Sequence, residues 1–416
     1  MWPYIIRNVL VCEEDMIINN EKIAKALEYI KSEDENTTQE TLTMCQIPAP
    51  SHQEKKKAEY VLEKFKEIGL LNVHMDAVWN VLGTWPGDGD GPVIMLAAHT
   101  DTVFPIDTDV TVKKEGSRYY CPGINDDTHA AAEIMAVAKA MVRYDIHAHG
   151  DIIFCANVCE EGLGDLKGVK YIFNNDNNID AFVSVDNPVT GGVVYTATGS
   201  HRYKVTFTGN GGHSFADFGL PNPIHAMGRA IAKISDFKAP ELPKTTFNVG
   251  VIEGGTSVNT ISASAGMLMD IRSDSDEELE RLTEEFMNAV ESAVEEENAR
   301  WDADKPQVKA DIEVKGVRPA GTQEPDCPIV KAAFDAARML GIEPELRGES
   351  STDANIPISM GIPAITVGRG GNEGGVHTVH EWFEPVESWL GPQRDLLLIL
   401  LLAGYEDVAE PVIKKR

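Results

Sequence analysis

The chain has 416 residues, with 37 Lys+Arg against 66 Asp+Glu and a formal net charge of −29. A hydrophobic fraction of 43% and a charged fraction of 25% are those of a folded protein, which excludes global disorder, and at about 100–200 residues per domain the length predicts two or three domains. A body this acidic repels polyanions, which excludes non-specific nucleic-acid binding.

At the N-terminus, Met1–Arg7 has no basic n-region, and Arg7 and Asn8 interrupt its apolar stretch, so a signal peptide is not expected. Three helices are then predicted, over about Asn20–Ser32, Thr38–Cys45 and Gln53–Gly69, the last closed by its glycine. Pro92–Ala98 is a continuous apolar run, the mark of a strand buried on both faces. Asp127–Tyr144 has helical spacing, Asp151–Ala156 and Ala181–Val185 read as further buried strands, and Ala364–Val367 as a fourth. Strands interleaved with helices imply a mostly parallel sheet covered on both faces.

The middle of the chain has another rhythm. His201–Thr208 alternates, Pro223–Phe237 is helical, Phe247–Glu253 and Met267–Arg272 are strand-like, and Val308–Val314 alternates again. Ser275–Trp301 is a long acidic helix with Leu279, Leu282, Phe286, Ala289, Val290 and Val294 on one stripe. The order is βαββαβ, a two-layer module inserted into the α/β domain. Its Glu295-Glu296-Glu297 run reads as a solvated face. The predicted boundaries are 1–198 and 316–416 for the α/β domain and 199–315 for the insert. The C-terminal run Leu396–Ala403 falls short of the ~20 apolar residues that span a bilayer and reads as a buried helix, so no membrane contact is expected. The six cysteines, Cys12, Cys45, Cys121, Cys155, Cys159 and Cys327, are scattered, a pattern of reduced thiols in a cytoplasm. Cys155 and Cys159 read as buried small hydrophobes before they read as a metal or redox pair.

The carboxyl edge of an open α/β sheet forms its binding crevice. Past the first buried strand stands His99-Thr100-Asp101, past the second Glu160-Glu161-Gly162, past the third Asp186-Asn187, and past the fourth a glycine-rich stretch leading to His377. Gly123-Ile124-Asn125-Asp126-Asp127 precedes a helix. Each alone is weak. An H-x-D is commonplace, paired glutamates are usually solvated, and one of Asp126 and Asp127 has a ready role as an N-cap. Together they supply imidazole and carboxylate donors from separate strand ends, which suit Zn2+ or a similar divalent ion.

Ala97-Ala98-His99-Thr100-Asp101-Thr102-Val103, Pro122-Gly123-Ile124-Asn125-Asp126-Asp127, Cys159-Glu160-Glu161-Gly162, Val185-Asp186 and His377-Thr378-Val379-His380-Glu381 together resemble the co-catalytic zinc exopeptidase family of peptidase T, the bacterial glutamate carboxypeptidases and acetylornithine deacetylase. The Pro-Gly-Ile-x-Asp-Asp form looks most like peptidase T-like members. The resemblance implies a phosphorylase/hydrolase-like α/β catalytic domain, mostly parallel in its sheet, with an inserted α+β, ferredoxin-like lid or dimerisation domain between Asp186 and His377. It implies Asp126 as a carboxylate bridging two metals, His99 and Asp186 completing one site, and Glu161 and His377 the other. Asp101 would hold the His99 ring in one tautomer, and Glu160 would be the general base. Two such cations would lower the pKa of a shared water and clamp both oxygens of a tetrahedral intermediate. Zn2+ is the implied cofactor, with Co2+ and Mn2+ accepted by the same ligands.

In the insert, Gly211-Gly212-His213-Ser214 resembles the lid histidine that in dimeric members reaches the partner's site. Gly254–Ile261 and Asp270-Ile271-Arg272 resemble segments whose Asn (Asn259) and Arg (Arg272) hold a substrate carboxylate. The bland alternatives are a surface loop histidine, a turn asparagine and a strand-end ion pair. Asp353 and Asn355, in a segment matched near the cleft, are as readily structural. Many relatives carry Lys or Arg where Thr128-His129 stand here, and His129 either contacts substrate or packs on its helix. The readings are then a di-metal aminopeptidase for short peptides, an N-acyl amino acid amidohydrolase or carboxypeptidase on the same scaffold, or an inactive homologue serving as a binding protein. A homodimer through the lid is implied by the family alone.

Overall fold

The computed structural model describes residues 17–175, 178–348 and 350–416. The signal-peptide reading of the first residues, and Cys12, lie outside them. Thr196–Thr322 forms one compact unit and the remainder of the described chain another.

The larger unit opens with helices α1 (Glu21–Ser32), α2 (Asp34–Met44) and α3 (Lys55–Ile68). Asn20 caps α1 by accepting from the N–H groups of Lys22 and Ile23, as an Asx side chain does at an N-cap. Gly69, at φ 98°, closes α3 in the left-handed conformation. There follow strands β1 (Leu71–Met75), β2 (Val81–Trp85) and β3 (Ile94–His99), helix α4 (Ala130–Tyr144), strand β4 (Ile152–Asn157), helix α5 (Lys167–Asn175), and strands β5 (Ala181–Asn187) and β6 (Gly192–Val194). After the other unit come α6 (Pro328–Met339), β7 (Glu345–Arg347), β8 (Ala364–Gly368) and α7 (Leu390–Ala403).

The eight strands form one sheet in the order β1-β2-β4-β3-β5-β8-β6-β7. Its centre, β4-β3-β5-β8, is parallel, while β1-β2, β2-β4 and β8-β6 pair antiparallel. Ile94 pairs with Ile152 and with Ala181, and His99 with Asn157. Parallel neighbours in this register end together, so His99, Asn157 and the end of β5 share one edge. All six residues of β3 are buried, as expected of a strand covered on both faces. The core joins α1, α4 and α7 to the sheet, and α7 is buried from Gly391 to Ala403. Inside it the Arg394 guanidinium pairs with Asp395 at 2.6 Å and donates to the carbonyls of Thr190 and Gly368, each at 2.6 Å. A buried charge is tolerable only with such partners. Among the described residues no helix is long and apolar enough to cross a membrane.

The second unit is the βαββαβ module. Its sheet runs 245–254, 264–273, 199–208, 309–318, antiparallel throughout. Helices 223–235 and 276–298 bury Ala226, Ala230, Leu282, Phe286 and Val290 against it. Its ends fall wider than the 199–315 read from periodicity, because Thr196–Ala197 pairs with Gly321–Thr322 in a two-residue ribbon.

Glu297 does not lie on a solvated face but is fully buried. Its carboxylate accepts from the Asn222 N–H (3.1 Å), Arg229 Nε (3.3 Å) and Trp301 Nε1 (3.2 Å), tying the two helices of the module together. Glu297→Ala strands these donors. It should cost about 2–4 kcal/mol, read as a lower midpoint in urea, whereas Glu295→Ala on the same helix should change it by less than about 0.5 kcal/mol.

Candidate metal centre

His99 is the last residue of β3 and is fully buried. Its Nδ1 lies 3.1 Å from the Asp101 carbonyl oxygen and 3.5 Å from Asp101 Oδ1. A carbonyl only accepts, so Nδ1 carries a proton, and Nε2, the nitrogen turned to Asp126, is the one free to ligate a metal once its own proton is lost. The expected grip of Asp101 on this ring thus runs first through its backbone. The Asp101 carboxylate is engaged elsewhere, accepting from Ser51 Oγ (2.6 Å) and from the N–H groups of Glu160 (2.9 Å) and Glu161 (3.0 Å). It therefore sets the position of the two glutamates. Burial would raise the Asp101 carboxyl, but His99 and Ser51 hold it below its ordinary value.

Asp126 and Asp127 stand between Gly123 and α4. Neither caps the helix, whose N-cap is His129. Both have non-helical backbone angles, and the peptide between them is cis. The loop is shaped from outside. Gly123, at φ 73°, lies so close to Thr102 that a Cβ would come within 2.4 Å of its methyl. The buried Glu381 carboxylate accepts from the N–H groups of Gly123 (2.8 Å), Asn125 (2.8 Å) and Asp126 (3.1 Å). Burial lifts Glu381 to about 7 although these donors pull it down.

The Asp126 carboxylate looks two ways. Oδ1 is 3.1 Å from His99 Nε2, and Oδ2 is 2.9 Å from His377 Nε2. His377 Nε2 is also 2.9 Å from Glu161 Oε1. Donor atoms of Asp126, Glu161 and His377 lie within 4.8 Å of one another, as do those of His99, Asp126, Asp127 and Asp186, and those of His99, Glu160 and Glu161. The five residues read as ligands thus form two clusters that share Asp126, with Glu160 alongside. Asp127, though inside the first cluster, is committed: it accepts from the His99 N–H (3.0 Å) and from Arg369 Nη1 (2.8 Å).

The site carries more negative charge than it balances. Burial and the neighbouring charges of Asp126 and Asp127 push the Asp186 carboxyl well above its ordinary value. Burial likewise lifts Asp127. Asp126, despite burial, is held well below by His377, His99 and Arg369. Asp126 and Glu161 raise the His377 imidazole to about 10. Carboxylates that repel one another, interleaved with imidazole nitrogens, are a donor set for divalent cations, and the residues fit that group.

Other predicted residues have different surroundings. His129 does not reach the clusters. It is buried against Phe383, with Nδ1 3.0 Å from Thr41 Oγ1 and Nε2 3.0 Å from Glu133 Oε1. Asn355 is buried and its Oδ1 accepts from the Thr352 N–H (3.0 Å), closing a local turn, and Asp353 accepts from Asn157 Nδ2 (2.6 Å) at the end of β4. Cys155 and Cys159 are buried, and the Cys159 thiol donates to Glu54 Oε1 at 3.1 Å. In the second unit His213 and Asn259 are neighbours: Gly212–His213 pairs with Thr260–Ile261, and the Ser214 N–H donates to the Asn259 carbonyl. Arg272 lies near the far end of strand 264–273, bonded to Asp270 at 2.8 Å. Eight residues of strand, roughly 26 Å, separate it from the ribbon end. Three residues of the site went unread in the sequence: Arg369, Glu381 and Ser51. Glu381 stands inside the quoted His377–Glu381 motif and was the one with a signal.

Residues 95–402 match the model of peptidase family M20/M25/M40, a span that holds every member of both clusters. The chain belongs to this family. This M20-family chain is 25% identical over 259 residues to a succinyl-diaminopimelate desuccinylase of Corynebacterium glutamicum, covering 60% of this chain and 70% of that one. Its fold is similar to that of a tripeptidase from Staphylococcus aureus (TM-score 0.73, 22% identity, 88% of this chain and 97% of that one). It is also similar to that of the Bacillus subtilis YXEP protein, a dinuclear metal-binding peptidase of family M20 (TM-score 0.65, 18% identity, 90% and 100%). Membership makes the chain a hydrolase of the metallopeptidase and amidohydrolase kind, with a candidate metal site in place.

Proposed function

We propose that this M20 peptidase holds two divalent cations and hydrolyses an amide bond of short peptides from their amino end. The observation that carries this reading is the Asp126 carboxylate, whose two oxygens face His99 and His377 separately. His99, Asp126 and Asp186 would hold one cation, and Asp126, Glu161 and His377 the other. These donors accept Zn2+, and Co2+ or Mn2+ as well, with availability deciding among them. When bound, such a pair supplies Lewis acidity and lowers the pKa of water.

The chain's own residues do the rest. Asp101 fixes the His99 tautomer through its carbonyl and pins the Glu160–Glu161 backbone through its carboxylate. Glu160, nearly buried beside both clusters, takes the proton from the attacking water and returns it to the leaving amine. In the lid, His213 stabilises the oxyanion, and Asn259 and Arg272 bind a substrate carboxylate. Within one lid Arg272 and the His213–Asn259 ribbon lie at opposite ends of a strand, which supports a homodimer whose partner supplies one of the two sets.

The relation to a desuccinylase supports a second reading, removal of an N-acyl group from an amino acid. Free tripeptides tested against N-acetyl and N-succinyl amino acids, with the metal-loaded full chain, separate the two. Turnover at least about tenfold greater in kcat/KM for tripeptides with a free amine is expected. The reverse order assigns the second reading, and no hydrolysis of any amide by fully loaded protein overturns both.

A further inference from the structure

Arg369 follows β8 in the run Gly368-Arg369-Gly370-Gly371, where a glycine-rich loop normally leaves an arginine in solvent. Here its side chain is 3% exposed. The backbone is anchored at both ends of the residue: its N–H donates to the Asn187 carbonyl at 2.8 Å, and its carbonyl accepts from Thr190 Oγ1 at 2.9 Å. Nε and Nη2 hold Glu373 bidentately, at 3.0 and 3.1 Å, the fork geometry that locks a guanidinium in place. Nη1 is thereby aimed into the site, 2.8 Å from Asp127 Oδ1, 3.0 Å from Asp186 Oδ1 and 3.8 Å from Asp126 Oδ1.

This contact is one-sided. Arg369 touches the carboxylates grouped with His99 and none of its ion pairs reaches Glu161 or His377. We infer that Arg369 is a permanent third cation of the centre, a positioning residue that makes the two metal positions unequal. It occupies one oxygen of Asp186 and places a fixed positive charge beside the His99–Asp186 position, which therefore binds its metal second and more weakly. An arginine keeps its charge at all working pH values, so the inequality is built in. The inference rests on the two-cation reading above.

The test is a Co2+ titration of the full-length apoprotein, prepared by chelation, followed by calorimetry and by visible absorption. Two steps are expected, separated by roughly tenfold or more in Kd. Asp186→Asn should remove the weaker step and Glu161→Gln the tighter. Arg369→Met should bring the two steps together by tightening the weaker one roughly tenfold, while Arg369→Lys, which keeps the charge, should preserve the gap. The inference is overturned if Asp186→Asn removes the tighter step, if wild-type protein binds two Co2+ with equal Kd, or if Arg369→Met leaves the gap unchanged or abolishes the weaker step. Should Arg369→Met fail to fold by circular dichroism, Arg369→Gln takes its place with the same expectation, and removal of the tighter step by Asp186→Asn overturns the inference in either case. Uptake of fewer than two equivalents sinks the two-cation reading itself, and this inference with it.

Discussion

Glu160→Ala should lower kcat by about 10²–10⁴ while the protein still takes up two equivalents of metal. The two halves of this expectation come from separate observations. Glu160 stands beside the clusters without belonging to the pair that shares Asp126. Its loss therefore removes a proton acceptor and leaves the five donors in place. Its position is set by the bond from its own N–H to Asp101, which the substitution keeps, so the Glu161 side chain stays where it was. Glu160→Asp is the sharper control. It retains the carboxylate but draws it back by one methylene, and a displacement of about 1 Å at a reacting group can cost about 10². Steady-state kinetics on a tripeptide, paired with metal analysis of the same sample, reads both quantities. Near wild-type turnover in Glu160→Ala would place the base elsewhere, and loss of metal would make Glu160 a ligand.

Much of this centre is written in the chain because its residues sit at strand ends. A buried strand is legible as an apolar run, and the residues after Ala98, Val158, Val185 and Val367 are then bound to lie along one edge of a parallel sheet. The shared edge turns four separate stretches into one candidate site. What could not be read follows from the same logic. Arg369 lies among glycines, a composition that marks an exposed loop, and only the tertiary fold brings Glu373, Asp127 and Asp186 around it. Asp127 had a local reading as a helix cap. The backbone leaves helical geometry at Asp126 and Asp127 because Glu381, distant in sequence, holds the N–H groups of Gly123, Asn125 and Asp126. Glu297 failed for a related reason. Three consecutive glutamates look alike in sequence, but one turned inward faces Asn222, Arg229 and Trp301. The insert was legible from its change of period, whereas its outer ribbon, two residues on each side, is too short to have a period.

Asp126→Ala should abolish both metal positions at once and reduce kcat/KM by roughly 10⁴ or more, the several kcal/mol of transition-state stabilisation that bound cations supply. No other ligand substitution should do this. Asp186→Asn and His377→Ala each touch one cluster, and each should leave about one equivalent bound. The thermal readout distinguishes the bridging role from mere damage. Metal binding to the native state alone raises stability by mass action, so wild-type protein should melt higher with Zn2+ than after chelation. In the metal-free protein the Asp126 charge repels Asp127 and Asp186. Removing it relieves that repulsion but also ends the pairing with His99, His377 and Arg369 that holds Asp126 ionised, so the chelated variant should melt moderately below chelated wild type while its response to Zn2+ disappears. A variant that melts far below chelated wild type would mark Asp126 as structural. One that keeps a full Zn2+ response, or still binds two equivalents, would show that no carboxylate is shared and that the two clusters are independent sites.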